Sequence, residues 1–185
     1  LIGEYTTSWS RFVDIINYRN AFDSYFGASD KVDDKVFLSI TDPITLAQFR
    51  QAQNLMFTVD LAGLPPTRFE AKVTYVLLSL TGAAANVPAI SCLVTHGGQY
   101  TMRKRDGTVA GQILKPRVTV VQTAKSGLTF TGVRIGANPD DLSFWGRGAA
   151  ATWTVSIEPD EMSRRQVDLT NLSSIEIEIG YEAFL

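Results

Sequence analysis

The sequence has one cysteine, Cys92, and one histidine, His96, among its 185 residues. A single cysteine excludes an intrachain disulfide and any metal site built from several cysteines. A single histidine leaves little for a Ser-His-Asp triad or for a histidine-rich metal centre. We therefore expect a protein that is not an enzyme and that carries no cofactor and no metal.

Charge and long apolar runs are also scarce. Seventeen basic and nineteen acidic residues give a net charge of −2, so no basic field attracts nucleic acid. No run reaches the roughly 18 apolar residues of a membrane span, and no segment has the pattern of a signal peptide. We expect the sequence to be an excised or processed piece of a longer polypeptide. Because 45% of it is hydrophobic, it can bury a core as one domain.

The first residues have helical spacing. Trp9, Phe12, Val13 and Ile16 follow one another at i, i+3, i+4 and i+7, which predicts an amphipathic helix over residues 8–22. The charged residues 30–35 then indicate a solvated connection. We therefore predict an N-terminal helical segment and linker over residues 1–34, followed by a domain over residues 35–185.

From residue 36 onward the hydrophobic period is two, which is typical of strands. Asp42 and Pro43 predict one short helix start, and residues 69–80 give the strongest strand signal. Gly97-Gly98 and Asp106-Gly107 are predicted to form turns. Together the pattern predicts about ten strands and an all-β fold, namely an antiparallel β-sandwich of jelly-roll type with a short N-terminal helix. The predicted core is Tyr75, Leu77, Ile90, Cys92, Val94, Phe130, Trp153, Val155, Ile177 and Ile179.

Two residues that could do chemistry have simpler structural interpretations. Cys92 alternates with apolar residues and is expected to be buried. It lies about 13 Å from His96 along the strand, too far for a direct nucleophile–base pair. We expect His96 itself to be a strand-end residue beside the Gly97-Gly98 turn. The only basic run, residues 100–105, could contact phosphates, but charges that protect a hairpin edge explain it better.

Loop carboxylates leave one metal alternative open. Asp140, Asp141, Glu158, Asp160 and Glu161 could hold calcium, although solvated loops explain them equally well and no EF-hand spacing is present.

Aromatic residues suggest contact sites. Trp153 alternates with Val155 and Ile157 and is expected in the core, whereas Trp145 lies in a glycine-flanked loop over residues 144–148. Its aromatic ring could anchor a partner. The predicted protein-binding residues are Trp9, Phe12 and Ile16 of the helix and Phe144, Trp145 and Arg147 of the loop.

Several stretches, in this order, resemble one family. They are KVFLSITDPITLAQFR at residues 35–50, Phe57 with RFEAKV at 68–73, GRGAAATW at 146–153 and IEIEIGY at 175–181. The family is the C-terminal region of the A component of bacterial Tc toxins, the insecticidal toxin complexes. The resemblance covers residues 35–185.

The resemblance implies a virulence-associated, non-enzymatic part of a large toxin that is secreted or released outside the cell. It also implies contacts with other toxin subunits, including the B-type component, and with copies of the same chain in a homo-oligomer. Two other classes stay open. A carbohydrate-binding jelly roll would attach to surface glycans, and an enzyme is disfavoured by the single histidine. No nucleic-acid partner and no transmembrane segment are expected.

Overall fold

The computed structural model describes residues 31–133, 144 and 146–185. Nine strands make up most of this part of the chain, and every pairing between them is antiparallel, so the predicted all-β fold is confirmed. The predicted helix over residues 8–22 and the loop over residues 136–141 lie outside the described residues.

The described elements follow one another along the chain with short connections. The strands are β1 (Lys31–Ile40), β2 (Asn54–Thr58), β3 (Phe69–Thr81), β4 (Ala89–Arg103), β5 (Val109–Ile113), β6 (Arg117–Ser126), β7 (Thr129–Gly132), β8 (Ala150–Ser156) and β9 (Ser174–Phe184). The helices are α1 (Pro43–Ala52) and α2 (Pro159–Arg165), and a 3-10 turn spans Leu61–Gly63.

All nine strands belong to one curled sheet. Eight of them hydrogen-bond in the order β1-β9-β3-β7-β6-β4-β8-β2, and β5 pairs with the second half of β4. The sheet turns back on itself, so that β1-β9-β3 and β6-β4-β8-β2 enclose one hydrophobic cluster between their inner faces. This arrangement is jelly-roll-like, because the two halves act as the two layers of a sandwich.

The core contains most of the residues that alternation predicts. Eight of the ten predicted core residues are buried, while Tyr75 and Leu77 are half-buried. The reason is a β-bulge in β3, where the register against β9 shifts between Val73 and Tyr75. A bulge inserts one extra residue and exchanges the two faces of the strand beyond it. Val76 and Leu78 therefore point inward in place of Tyr75 and Leu77.

Helix α1 begins as predicted. Asp42 precedes it and accepts a hydrogen bond from the backbone N–H of Thr45 at 2.8 Å, and Pro43 occupies the first turn. An N-cap carboxylate satisfies a backbone donor that has no partner within the helix. The buried Leu46 and Phe49 then attach the helix to the core.

The predicted turn at Gly97-Gly98 is wrong. β4 continues through both glycines and bends there, because β6 pairs with it before the bend and β5 pairs with it afterwards. Gly98 has a φ of +90°, and its carbonyl accepts the N–H of Leu114 at 2.9 Å. His96 is accordingly a fully buried mid-strand residue and does not lie at a strand end.

Two predicted loops are partly regular structure. Residues 31–35 belong to β1, where charged side chains decorate an edge strand, so the sheet begins before the predicted domain boundary at residue 35. The connection over residues 158–173 contains α2, with Pro159 in its first turn and Glu161 buried. The predicted Asp106-Gly107 turn does join β4 to β5 as a hairpin, with Gly107 at a φ of +83°.

Candidate protein-contact surfaces

The structure describes two of the six predicted protein-binding residues. Phe144 is only 5% exposed, and its ring packs edge-on against Trp153 with 5.3 Å between the ring centroids. Arg147 is half-buried. The other four, Trp9, Phe12, Ile16 and Trp145, lie outside the described residues. The contact role of all six stays a prediction.

Phe144 and Arg147 meet around His96. The Phe144 ring lies 6.5 Å from the imidazole, and Nη1 of Arg147 lies 3.5 Å from Nδ1 of His96. The imidazole also packs edge-on against Trp153 at 4.8 Å and Tyr100 at 5.7 Å. Sequence spacing could not show this cluster, because it joins β4, β8 and the segment between β7 and β8.

The hydrogen bonds of His96 define its protonation state. The backbone N–H of Gly98 donates to Nδ1 at 3.0 Å, so Nδ1 is an acceptor. Nε2 lies 3.1 Å from the carbonyl oxygen of Gly148 and must therefore carry the proton. Burial lowers the pKa of His96 below its usual value, and the Arg147 guanidinium lowers it further. The neutral ring thus fastens residue 148 to the bend of β4.

Backbone contacts hold the same segment against the sheet. Val73 donates its N–H to the carbonyl of Arg147 at 2.8 Å, and Ala149 donates to the carbonyl of Ala71 at 3.1 Å. A Cβ at Gly148 would overlap the ring of Tyr100. The close approach that this glycine permits is therefore an approach to its own chain.

The basic run over residues 100–105 is engaged within the chain. Arg103 donates to the carbonyl oxygens of Leu61 and Pro65 at 2.6 and 3.0 Å. The Arg105 guanidinium stacks over the ring of Phe184 at 3.8 Å. These contacts support a structural role over phosphate binding.

Cys92 and Glu161 lie beneath α2. Cys92 is buried, as predicted, and burial raises the pKa of its thiol to about 12 with a smaller contribution from the Glu161 charge. Burial alone would raise the pKa of Glu161. Hydrogen bonds from the N–H of Ser91 and from Arg165 outweigh that effect and lower it. Glu161 therefore attaches α2 to β4, and within residues 31–133, 144 and 146–185 no cluster of His, Cys, Asp or Glu suits a metal ion.

The outer surface of the sheet divides into two halves of different chemistry. The first half, formed by β1, β9 and β3, carries alternating charges. Lys31 pairs with Glu182 at 2.7 Å and Lys35 pairs with Glu178 at 2.9 Å. The outward charged residues of this half, which we call the charged face, are Lys31, Asp33, Lys35, Lys72, Glu176, Glu178 and Glu182.

The second half, formed by β6, β4, β8 and β2, has no charged residue among its outward positions. Strand register places Val118, Thr95, Thr154 and Met56 in one row across the four strands, and Val120, Leu93, Ser156 and Asn54 in the next. Val118, Val120 and Met56 are 52%, 54% and 70% exposed. The outward residues, which we call the uncharged face, are Asn54, Met56, Thr58, Ser91, Leu93, Thr95, Val118, Val120, Gln122, Thr152, Thr154 and Ser156.

The uncharged face was not predicted from the sequence, although a signal for it exists. Residues 52–59, 89–102, 118–124 and 149–157 contain no Asp, Glu, Lys or Arg. An antiparallel strand whose outer side meets water normally alternates apolar with charged or polar residues. Four strands without charge therefore indicate an outer side with little demand for solvation, but only the pairing shows that the four are neighbours.

Comparisons with known proteins give one structural likeness. No family model matches the chain, and no curated protein matches it. Its fold is similar to part of the cryo-EM structure of TcaA-TcaB from Yersinia pseudotuberculosis, with a TM-score of 0.51 and 13% identity. The alignment covers 94% of this chain and 11% of that one, so this chain spans about a ninth of the relative's length.

Two virus structures are more distant. Turnip yellow mosaic virus aligns with a TM-score of 0.27 and 9% identity, over 85% of this chain and 82% of that one. Mud crab tombus-like virus aligns with a TM-score of 0.23 and 10% identity, over 83% and 89%. Within the described ranges, no helix has the length and apolar character to cross a membrane.

Proposed function

We propose that this domain is a non-catalytic structural and docking module of a Tc-like toxin assembly. It contacts other toxin subunits, including a B-type component, and copies of itself. It acts in an assembly that is secreted or released outside the cell. Its contribution is protein contact, without covalent chemistry and without a cofactor.

The observation that carries this proposal is the uncharged face. Protein interfaces are distinguished from other surfaces chiefly by the depletion of charged residues at their centres. The same sheet provides an internal comparison, because its charged face has seven charged outward residues. Water solvates the charged face well, whereas the uncharged face exposes Val118, Val120 and Met56 in adjacent rows. A protein partner would remove these side chains from water.

The likeness to TcaA-TcaB supports the toxin part of the proposal. At 13% identity the likeness concerns the fold. The sequence resemblance over residues 35–185 leads independently to the same toxin class. A chain that matches one ninth of a much longer protein is suited to the role of a module.

The described residues also support a role without catalysis. The Cys92 thiol has a pKa of about 12 and is buried, so it is a poor nucleophile. Both ring nitrogens of His96 are engaged by backbone groups of Gly98 and Gly148. Neither side chain is available to activate a substrate.

Glycan binding is the second candidate function. A sugar-stacking platform needs exposed aromatic rings. Among the described residues, Phe37 is the one strongly exposed aromatic, and it lies on β1 among the charges, whereas Trp153 and Tyr100 are buried. The glycan hypothesis therefore depends on Trp145, outside the described residues.

The test is to isolate the native particle from the cells that make it and to measure its mass. We expect a particle larger than one chain, which Val120→Lys diminishes. The predicted contacts are tested in parallel with Trp145→Ala and with Phe12→Asp combined with Ile16→Asp. If every variant assembles like the wild type while a glycan array or a turnover assay gives a signal, the docking proposal is refuted.

A further inference from the structure

We propose that the uncharged face is an isologous interface, on which two copies of this chain pack the same face against each other. The inference rests on the proposed function and names the partner and the geometry for the surface that carries it. The three observations behind it are the distribution of charge, the extent of the face and the arrangement of its side chains.

Charge restricts which surface can cover this face. A charged side chain buried against an uncharged partner loses its hydration without gaining an opposite charge, and that loss opposes binding. Contact between the uncharged face of one copy and the charged face of another would bury groups such as Asp33 and Glu176 in this way. Contact between two uncharged faces buries no charge. Among pairings of the two outer halves of the sheet, this is the one without a desolvated ion.

The size of the face matches a modest interface. Four neighbouring strands about 4.8 Å apart and seven residues long give a footprint of roughly 20 by 23 Å. β5 continues the outward surface beside β4, where Val109 and Ile113 are 59% and 80% exposed. Side chains that stand out of this plane raise the accessible area toward the roughly 800 Å² that each partner buries in a standard complex.

The side chains suit sheet-on-sheet packing. Two sheets pack about 10 Å apart when short and medium side chains interdigitate, and their strands cross at about 30°. The face has valine on β6, threonine on the central strands β4 and β8, and methionine on β2. In a two-fold pair, the larger side chains at the margins of one copy meet the smaller threonines of the other. Residues near the axis, such as Thr95 and Thr154, approach their own symmetry copies.

The first experiment measures association of the purified 185-residue chain by sedimentation velocity. We expect a concentration-dependent dimer at about 100 μM, and at least a tenfold increase in the dissociation constant for Val120→Lys. Thr154→Lys is a second face variant. Ser39→Lys is the matched control, because it adds the same charge on the outer side of β1, and it should dimerise like the wild type. All four positions of comparison can be checked for folding by circular dichroism, since each substitution lies on the outer side of the sheet.

The second experiment tests the geometry. Cys92 is buried, so an added surface cysteine is the reactive thiol of the described chain. Under mild oxidation Thr95→Cys should form a covalent dimer, whereas Ser39→Cys should not. Equal cross-linking of both variants would indicate random collision and would overturn the proposed geometry.

Failure of this inference and failure of the proposed function have different signatures. A chain that stays monomeric at 200 μM overturns self-association. If Val120→Lys nevertheless diminishes the native particle, the face binds a different subunit, and the docking module survives. If the native particle is also insensitive to Val120→Lys and Thr154→Lys, the face is not a contact surface and both proposals fail.

Discussion

The buried, neutral His96 predicts that stability depends on pH in a window where few other groups titrate. Its pKa is lowered chiefly because burial disfavours the charged ring. Below the unfolded pKa of about 6.5, the unfolded state therefore binds a proton that the folded state resists. The stabilising contribution is complete above that pH, and it is lost as the pH falls through the folded pKa. The loss can reach about 1.4 kcal/mol for each pH unit.

The local geometry explains the cost of protonating His96. A proton on Nδ1 would face the N–H of Gly98 at 3.0 Å and the guanidinium of Arg147 at 3.5 Å, and neither can accept a hydrogen bond. Tyr100, which also contacts the ring, has a raised pKa and stays neutral throughout the window. Asp34, Glu161 and Glu178 have lowered pKa values, so their contributions disappear only in more acidic solution.

The assay is urea unfolding of the wild type and His96→Phe at pH 8, 7, 6 and 5.5 in constant salt. The phenyl ring keeps the packing but leaves the N–H of Gly98 and the carbonyl of Gly148 without the imidazole. We expect the variant to be about 2–4 kcal/mol less stable at pH 8. The two free energies of unfolding should converge toward pH 5.5, because only the wild type loses the histidine contribution. Parallel curves would refute this account of His96.

Three further predictions concern other parts of the fold. Glu161→Gln should lower the free energy of unfolding by about 1–2 kcal/mol at pH 7, and the deficit should shrink in acid as the wild-type carboxylate is protonated; urea unfolding at pH 7 and pH 4 measures both. Cys92→Ala should cost about 1 kcal/mol and leave dimer formation intact, and rapid labelling of the wild-type thiol would contradict its burial. Gly180→Ala should destabilise by about 1–3 kcal/mol, because the added Cβ overlaps the Tyr75 ring. The double variant Gly180→Ala with Tyr75→Thr should recover part of that loss, and equal stability of the single and double variants would exclude the clash.

Local sequence signals predicted the strands well but could not show how they pair. The alternation in residues 69–80 identified β3, yet the bulge between Val73 and Tyr75 exchanged its faces. Period-two patterns contain no information about where an extra residue enters a ladder. Gly97-Gly98 has the composition of a turn. It proved to be a bend because collinear β5 and β6 pair with one strand on either side of it.

The candidate contact surfaces were predictable only in part. Phe144 and Arg147 were proposed for a partner, but the structure gives both of them neighbours within the chain around His96. The uncharged face arises from the register of four strands that are distant in the sequence. Pair register is a tertiary property, so composition could show four strands without charge but not a single surface.

The pairing of β1 with β9 has a mechanical consequence. Lys31 lies opposite Phe184, so the two ends of the sheet emerge side by side at one corner. A force that pulls the chain apart at this corner loads the first hydrogen bonds of the ladder alone, and the bonds break one after another from Lys31 toward Ile40. Ladders that open in this sequential way yield at lower force than ladders sheared along their length. Under tension, the domain should therefore open first between β1 and β9, before the strands of the uncharged face separate.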